Sequence, residues 1–305
     1  MEQKSVFILG SINMDLVISI DSLPKLGETK IGHDFFENQG GKGANQAVAT
    51  SKLGVKNTYM IGQVGNDSNG KKLLKELSNY GVNCSGVNLD LNTNSGVAII
   101  SFDESKKDNV IIIDKGANNT LNPLKVKDFL IKNAKPGDIL ISQFEINLDA
   151  LYEGFKTAKE LKMYTILNPA PCVKFDKELY KYVDLIIPNE TECELLTSLK
   201  PNESNFRKIY EILNVNELII TLGSKGGVYI NKEKIMNSPV YKVDVVDTTS
   251  AGDTYIGALA YKLSNGCNIE ESLDFAAKCS SITVSRRGAS KSIPTLDEVN
   301  KIFNS

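Results

Sequence analysis

Short, almost continuously apolar runs separated by helical patterns constrain this chain more than any other feature. They are VFILG (6–10), YMIGQV (59–64), ILIS (139–142), YTILN (164–168), LIIP (185–188) and LIITLG (218–223). Apolar residues at helical spacing separate most of them, as in NLDALYEGFKTAKELKM before YTILN and TECELLTSL after LIIPNE. A strand that is apolar at every position must be covered on both faces, and strands alternating with helices are joined by crossovers. The pattern therefore predicts an α/β fold: a doubly wound, mostly parallel sheet with helices on both faces. Ligands of such sheets bind beyond the carboxyl ends of the strands, which is where the polar motifs of this chain fall.

Two segments break the alternation. Residues 16–36 (LVISIDSLPKLGETKIGHDFF) and 96–114 (GVAIISFDESKKDNVIIID) each read as two strands around a turn with no helix between. Together they predict a small β-sheet lid on a single 1–305 domain, placed to cover a site or to contact a second copy. With 305 residues, 41% of them hydrophobic, the chain can bury roughly 75% of its unfolded surface in one such domain.

Composition narrows the chemistry. A net charge of −2 offers no basic face, so nucleic acid is not expected as a partner. The longest apolar run near the start, VFIL, is too short for a membrane span, and the expected setting is cytoplasmic without membrane attachment. Five cysteines, Cys84, Cys172, Cys193, Cys267 and Cys279, form no C-x-x-C pair and read as buried free thiols. With a single histidine, His33, a histidine triad or multi-histidine metal site is excluded, and proton transfer falls to a carboxylate, Lys, Tyr or Cys.

The most informative stretch is VVDTTSAGDTYIGALAYKL (245–263). Ile256, Leu259, Ala260 and Leu263 fall at helical spacing, which starts a helix near Gly252 and puts Asp253 in its first turn. Small residues at a helix start leave unpaired N–H groups open to an anion, although Ser, Asp and Gly there also serve simply as caps. GGKGANQAVATSKLG (40–54) sets Gly41, Lys42 and Asn45 directly before an Ala-rich helix, where amide and ammonium groups can meet a hydroxylated ligand. ITLGSKGGVYI (220–230) fits either a nucleotide-approaching turn or a plain hairpin. PNETECELL (188–196) supplies Asn189 and Glu192 for hydrated magnesium or for a helix cap. GNDSNGKK (65–72) lacks the hydroxyl that a phosphate loop needs after its lysine, and Gly10-Ser-Ile-Asn lacks the glycines of a dinucleotide fingerprint.

Taken in order, GSINMD (10–15), GGKGANQA (40–47), NPAP (168–171), PNETE (188–192), TLGSKG (221–226) and DTTSAGDTYIGAL (247–259) resemble the PfkB-type carbohydrate kinases, and their ribokinase branch in particular. The resemblance runs from about Val6 to Pro294. It implies ATP-dependent phosphorylation of the 5-hydroxyl of D-ribose, with Asp253 as base and Ala251, Gly252 and Asp253 as the anion hole. It further implies sugar contacts from Asn13, Asp15, Gly41, Lys42, Asn45 and Glu145, with Met14, Gly43 and Ala44 alongside. Nucleotide contacts are implied for Asn189, Thr221, Leu222, Gly223, Ser224, Lys225, Gly226 and Gly252, with Ala277 near the base. Magnesium and phosphate are implied at Asn189 and Glu192, and potassium (K+) at Asp247, Thr249, Thr283, Arg286, Gly288 and Ser292. A homodimer through the lid completes the expectation. Ser250 stands where many relatives have Gly. A same-fold kinase for deoxyribose, another sugar or a nucleoside, and a non-catalytic sugar-binding regulator, are the competing readings.

Overall fold

The structure is a computed structural model that describes residues 2–106 and 108–303, and all that follows concerns those residues. The chain opens with β1 (Val6–Leu9), β2 (Asn13–Ile20), β3 (His33–Gly40), α1 (Lys42–Lys52), β4 (Thr58–Gly65), α2 (Ser68–Asn79) and β5 (Asn83–Asp90). It continues through β6 (Gly96–Asp103), β7 (Asp108–Asp114), α3 (Pro123–Asn133), β8 (Ile139–Gln143), α4 (Leu148–Glu160), β9 (Tyr164–Asn168) and β10 (Leu185–Ile186). Then come α5 (Glu190–Thr197), α6 (Phe206–Leu213), β11 (Glu217–Thr221), β12 (Gly227–Asn231), β13 (Ile235–Ser238), α7 (Ala251–Ser264), α8 (Ile269–Val284) and α9 (Leu296–Phe303).

The main sheet has nine strands in the order β13-β12-β11-β10-β9-β8-β1-β4-β5. From β11 to β5 every pairing is parallel, as the apolar runs predicted. Alternate residues of β1 feed two cores: Val6 and Ile8 join α1, α7 and α8 on one face, while Phe7 and Leu9 join α3 and α4 on the other. β1 sits where the strand order reverses, between β4 and β8. Such a switch point opens a crevice at the carboxyl ends, and there the chain leaves the main sheet for its second one.

That second sheet has the order β3-β2-β6-β7. The 96–114 segment forms the expected antiparallel pair, β6 with β7. In the 16–36 segment the strands lie further out, at 13–20 and 33–40, with a twelve-residue connection instead of a tight turn. β2 is extended because it also pairs with β6 in parallel from Asn13↔Gly96 onward. Edge strands β5 and β13 were not expected from the sequence, since NCSGVNLD and IMNS carry no apolar run. Conversely, the β-branched VVDTT leading to α7 is not a strand: Val246 N–H bonds the Val284 carbonyl at the end of α8 (2.8 Å), and Val245 and Val246 are exposed. All five cysteines are free, but only Cys193 and Cys279 are buried; Cys84, Cys172 and Cys267 are partly exposed. No helix here is long and apolar enough to cross a membrane.

Candidate active site

The carboxyl ends of the parallel strands and one face of the small sheet enclose a cavity of about 370 Å³. Strand alternation decides which residues of GSINMD reach it: Asn13 and Asp15 line the cavity, whereas Met14, on the opposite face, is buried in the core. Met14 therefore packs and does not meet a ligand. Opposite Asp15 in the register, Ala98 and Ile113 line the cavity from above, joined by Ile100 and Ile111. These four apolar residues had no functional signal in the sequence beyond their place in the lid.

Helix α1 begins one turn earlier than expected, so Lys42 to Asn45 form its first turn. Gly41, Lys42 and Asn45 line the cavity. Gly43 and Ala44 do not: a Cβ at Gly43 would come within 2.6 Å of the backbone after Gly10, and Ala44 is core. These two are required by close packing of α1 on the β1 loop. Glu145, after β8, accepts from the Lys42 amide (3.0 Å) and from the Ser11 hydroxyl, which anchors an anion at the α1 N-terminus. Ser11 was not singled out from the sequence.

Asp253, in the first turn of α7, is buried, and its two carboxylate oxygens accept from Asn45 Nδ2 (3.2 Å) and Gln46 Nε2 (3.0 Å). Burial pushes its carboxyl up, while the Lys42 ammonium and the Gln46 amide pull it back toward ionisation. Lys42 feels the converse. Burial alone would lower it, but Asp253, Glu145 and Glu192 outweigh that and hold it above its ordinary value, protonated. Asp15 is raised to about 7 by burial first and then by the charges of Glu145 and Asp253. Three carboxylates thus act on one ammonium, with a fourth, Asp15, beside two of them, a site that calls for cationic or proton-donating ligands.

The start of α7 is open. Its N-cap, Ser250, is left-handed (φ 60°), and its side chain caps none of the first amides. The Ala251 amide is taken by the Thr248 carbonyl (3.2 Å), so Gly252 and Asp253 rather than Ala251 supply the uncapped N–H groups. Nothing lies within 4 Å of where a Gly252 side chain would begin. Asn189 and Glu192 close a reciprocal capping box at the start of α5, and both still line the cavity. Glu192 is buried and its carboxyl is raised mainly for that reason, the environment of an acid that a hard cation would relieve.

Thr221 lines the cavity, but Leu222 to Gly226 form a turn beyond β11, with Gly223, Ser224 and Lys225 exposed outside the cavity. Ala277 packs against the core from α8 and lies away from the cavity. Of the six potassium candidates, Thr249 and Gly288 meet Asp247, whose carboxylate accepts from their amides (2.9 Å and 3.0 Å). The hydroxyls of Thr283 and Ser292 turn to Thr254 and to the Ala289 carbonyl. Arg286 turns away to Glu298 (2.9 Å), which removes its charge from the loop.

A buried carboxylate fixed beside an open helix N-terminus, an ammonium lining the same cavity and a cover of apolar strands define an enzyme that transfers a phosphoryl group to a hydroxyl. The model of the pfkB family carbohydrate kinases matches residues 3–296, and the chain belongs to that family. It is 37% identical to a ribokinase of Schizosaccharomyces pombe over 98% of both chains. It superposes on a ribokinase crystal structure from Thermotoga maritima with a TM-score of 0.90 at 34% identity, covering 99% of this chain and 100% of the other. Arabidopsis thaliana ribokinase, solved with ribose and ATP, gives a TM-score of 0.87 at 32% identity over 99% of each chain.

Proposed function

We propose that this enzyme transfers the γ-phosphoryl group of ATP to the 5-hydroxyl of D-ribose, giving D-ribose 5-phosphate and ADP. The observation that carries it is the pairing of a buried, amide-held Asp253 with the uncapped start of α7, across the cavity from the polar side chains of Asn13, Asp15 and Glu145. Those polar groups suit the sugar hydroxyls, and Lys42 donates among them. Asp253 takes the proton of the attacking hydroxyl as its oxygen bonds phosphorus and the bond to ADP breaks. The Gly252 and Asp253 amides meet the charge on the transferred group. Phosphoryl transfer needs positioning and charge stabilisation more than covalent catalysis, so the lack of a catalytic histidine is no obstacle.

Magnesium fits Asn189 and Glu192, an oxygen-rich pair whose buried acid shares the one nearby ammonium, Lys42, with Asp253 and Glu145; when bound it would screen phosphate charge. A coupled ADP-release assay with D-ribose, 2-deoxyribose, fructose and adenosine tests the assignment. Ribose should support the fastest release. A faster alternative acceptor would reassign the substrate, and ribose binding without ADP release would make the protein a regulator.

Potassium belongs to the same proposal. The Asp247 contacts tie the 285–292 loop to the segment entering α7, so a cation held there would stiffen the anion hole without touching either substrate. At fixed ionic strength and saturating magnesium-ATP, replacing sodium with potassium should raise turnover several-fold. Equal rates in the two salts would mean that no such cation acts.

Apart from the residues that line the cavity, the small sheet exposes Phe35, Phe36, Ile99 and Ile112, more apolar surface than a free lid keeps. We propose that it pairs with the same sheet of a second copy in a two-fold dimer. Light scattering should give twice the chain mass at micromolar concentration, and a stable monomer would contradict this. Free cysteines fit the expected cytoplasmic setting.

A further inference from the structure

The base is held by a chain of amides that reaches back to the centre of the sheet. Gln46, in the second turn of α1, is fully buried and uses every polar group it has. Its amide donates to Asp253 Oδ1 (3.0 Å) and to Asn168 Oδ1 (3.3 Å), and its carbonyl accepts from Gln143 Nε2 (2.6 Å) at the end of β8. The direction of each bond is forced. Asn168 commits its own amide to the Ile187 carbonyl (3.0 Å), so its oxygen must accept, and the NH2 end of Gln46 must point at Asn168 and Asp253. Gln143 keeps the carbonyl end of Gln46 turned the other way.

Gln143 carries a penalty that its own packing does not offset. Its Oε1 is buried with no hydrogen-bond partner. Space for that amide exists only because residue 10 is glycine, where a Cβ would come within 2.2 Å of Oε1. A residue chosen for stability alone would be apolar here, since an unpaired buried acceptor is destabilising. What Gln143 does accomplish is to hold the carbonyl end of Gln46, whose direction Asn168 and Asp253 set, in place.

Building on the assignment of Asp253 as base, we propose that Gln46 and Gln143 form a positioning relay for it: Gln143 anchors the carbonyl end of the Gln46 amide, and Gln46 holds Asp253 ionised and aimed at the acceptor hydroxyl. If Gln46 turned over, its carbonyl would oppose the carboxylate. The other charged groups that act on Asp253 are Lys42 from α1, Glu145 after β8, Glu192 from α5 and Asp15 from β2, and neither substitution below removes any of them.

Gln143→Met and Gln46→Met keep volume and remove the amides. Loss of a hydrogen bond to a charged group is expected to slow turnover roughly ten- to hundredfold in Gln46→Met, and about three- to tenfold in Gln143→Met. In both, the KM for ribose should change much less than turnover. In Gln46→Met the acid limb of the turnover-pH profile should move to higher pH, because the ionised base has lost a donor, and in Gln143→Met it should move the same way by less, because that donor is held less firmly. Gln143→Met should melt close to the parent temperature, since it removes one unpaired acceptor while creating another at Gln46. Activity falling without loss of stability is a pattern that mere packing would not produce. Turnover and an acid limb unmoved in Gln143→Met would overturn the relay even if Gln46→Met failed to fold. Asp253→Asn, measured alongside, separates the two claims: if that variant stays active, it is the base assignment that fails.

Discussion

Asp253→Asn should turn over ribose and ATP roughly 10²–10⁴-fold more slowly than the parent, about 3–5 kcal/mol of barrier. The substitution preserves size and leaves the α7 start unchanged, but an amide cannot accept the hydroxyl proton. Its NH2 group would also face the donors from Asn45 or Gln46, so one of those contacts becomes donor against donor. Ribose affinity should change far less, because Asn13, Asp15, Lys42 and Glu145 remain. Steady-state ADP release together with ribose binding by calorimetry checks both halves. A variant that keeps half the parent turnover would end Asp253's claim to be the base.

Asp15→Asn should weaken ribose binding while stabilising the free protein. Asp15 is half-buried beside Glu145 and Asp253 and its carboxyl is raised to about 7, so above that pH the folded state holds a charge it disfavours. An acid raised on folding contributes its stability below its unfolded value, near 3.8, and loses it as pH rises through about 7. A neutral amide at this position escapes that penalty, so the melting temperature of the variant at pH 8 should exceed the parent's by roughly 3–6 °C, a gap that closes as pH falls below 7. The same ionisation serves binding, since a carboxylate accepts from sugar hydroxyls and its protonated form accepts less well. The parent's KM for ribose should therefore fall as pH rises through about 7, and the variant's KM should be higher by roughly ten- to hundredfold with that pH dependence gone. Thermal melts across pH and ribose kinetics across pH measure the two effects independently. A variant less stable than the parent at pH 8 would show that the Asp15 charge is not a burden.

The parallel sheet was legible because its strands are buried on both faces, which leaves an unbroken apolar run in the sequence. The same logic hid β5 and β13, edge strands whose polar residues pack on one side only. VVDTT stays irregular for a physical reason as well: β-branched residues favour extension, but extension becomes a strand only with a partner, and here the amides of Val246 and Asp247 turn to the end of α8. Within the site, residues whose type announces chemistry were legible. Asp253 and Lys42 are charged groups at element ends, and the cavity gathers them; Glu145 beside them came only from the family resemblance. Met14, Gly43 and Ala44 lie between such residues in sequence but on the packed side, a distinction that rests on strand alternation and on the approach of α1 to the β1 loop. Gln46 and Gln143 were out of reach, because an uncharged amide becomes informative only once its partners, 97 residues apart or more, are seen to meet.

The position that receives the phosphoryl group is the most direct readout of how the cavity orients its acceptor. Phosphorus NMR of the product from ATP and D-ribose reads this without a coupling enzyme, since a phosphate ester on a CH2 group couples to two protons and an ester on a ring CH couples to one. The proposed geometry predicts stoichiometric ADP and a single sugar phosphate whose phosphorus couples to two protons, as the 5-ester requires. A product coupled to one proton, or ATP left intact with ribose bound, would contradict it.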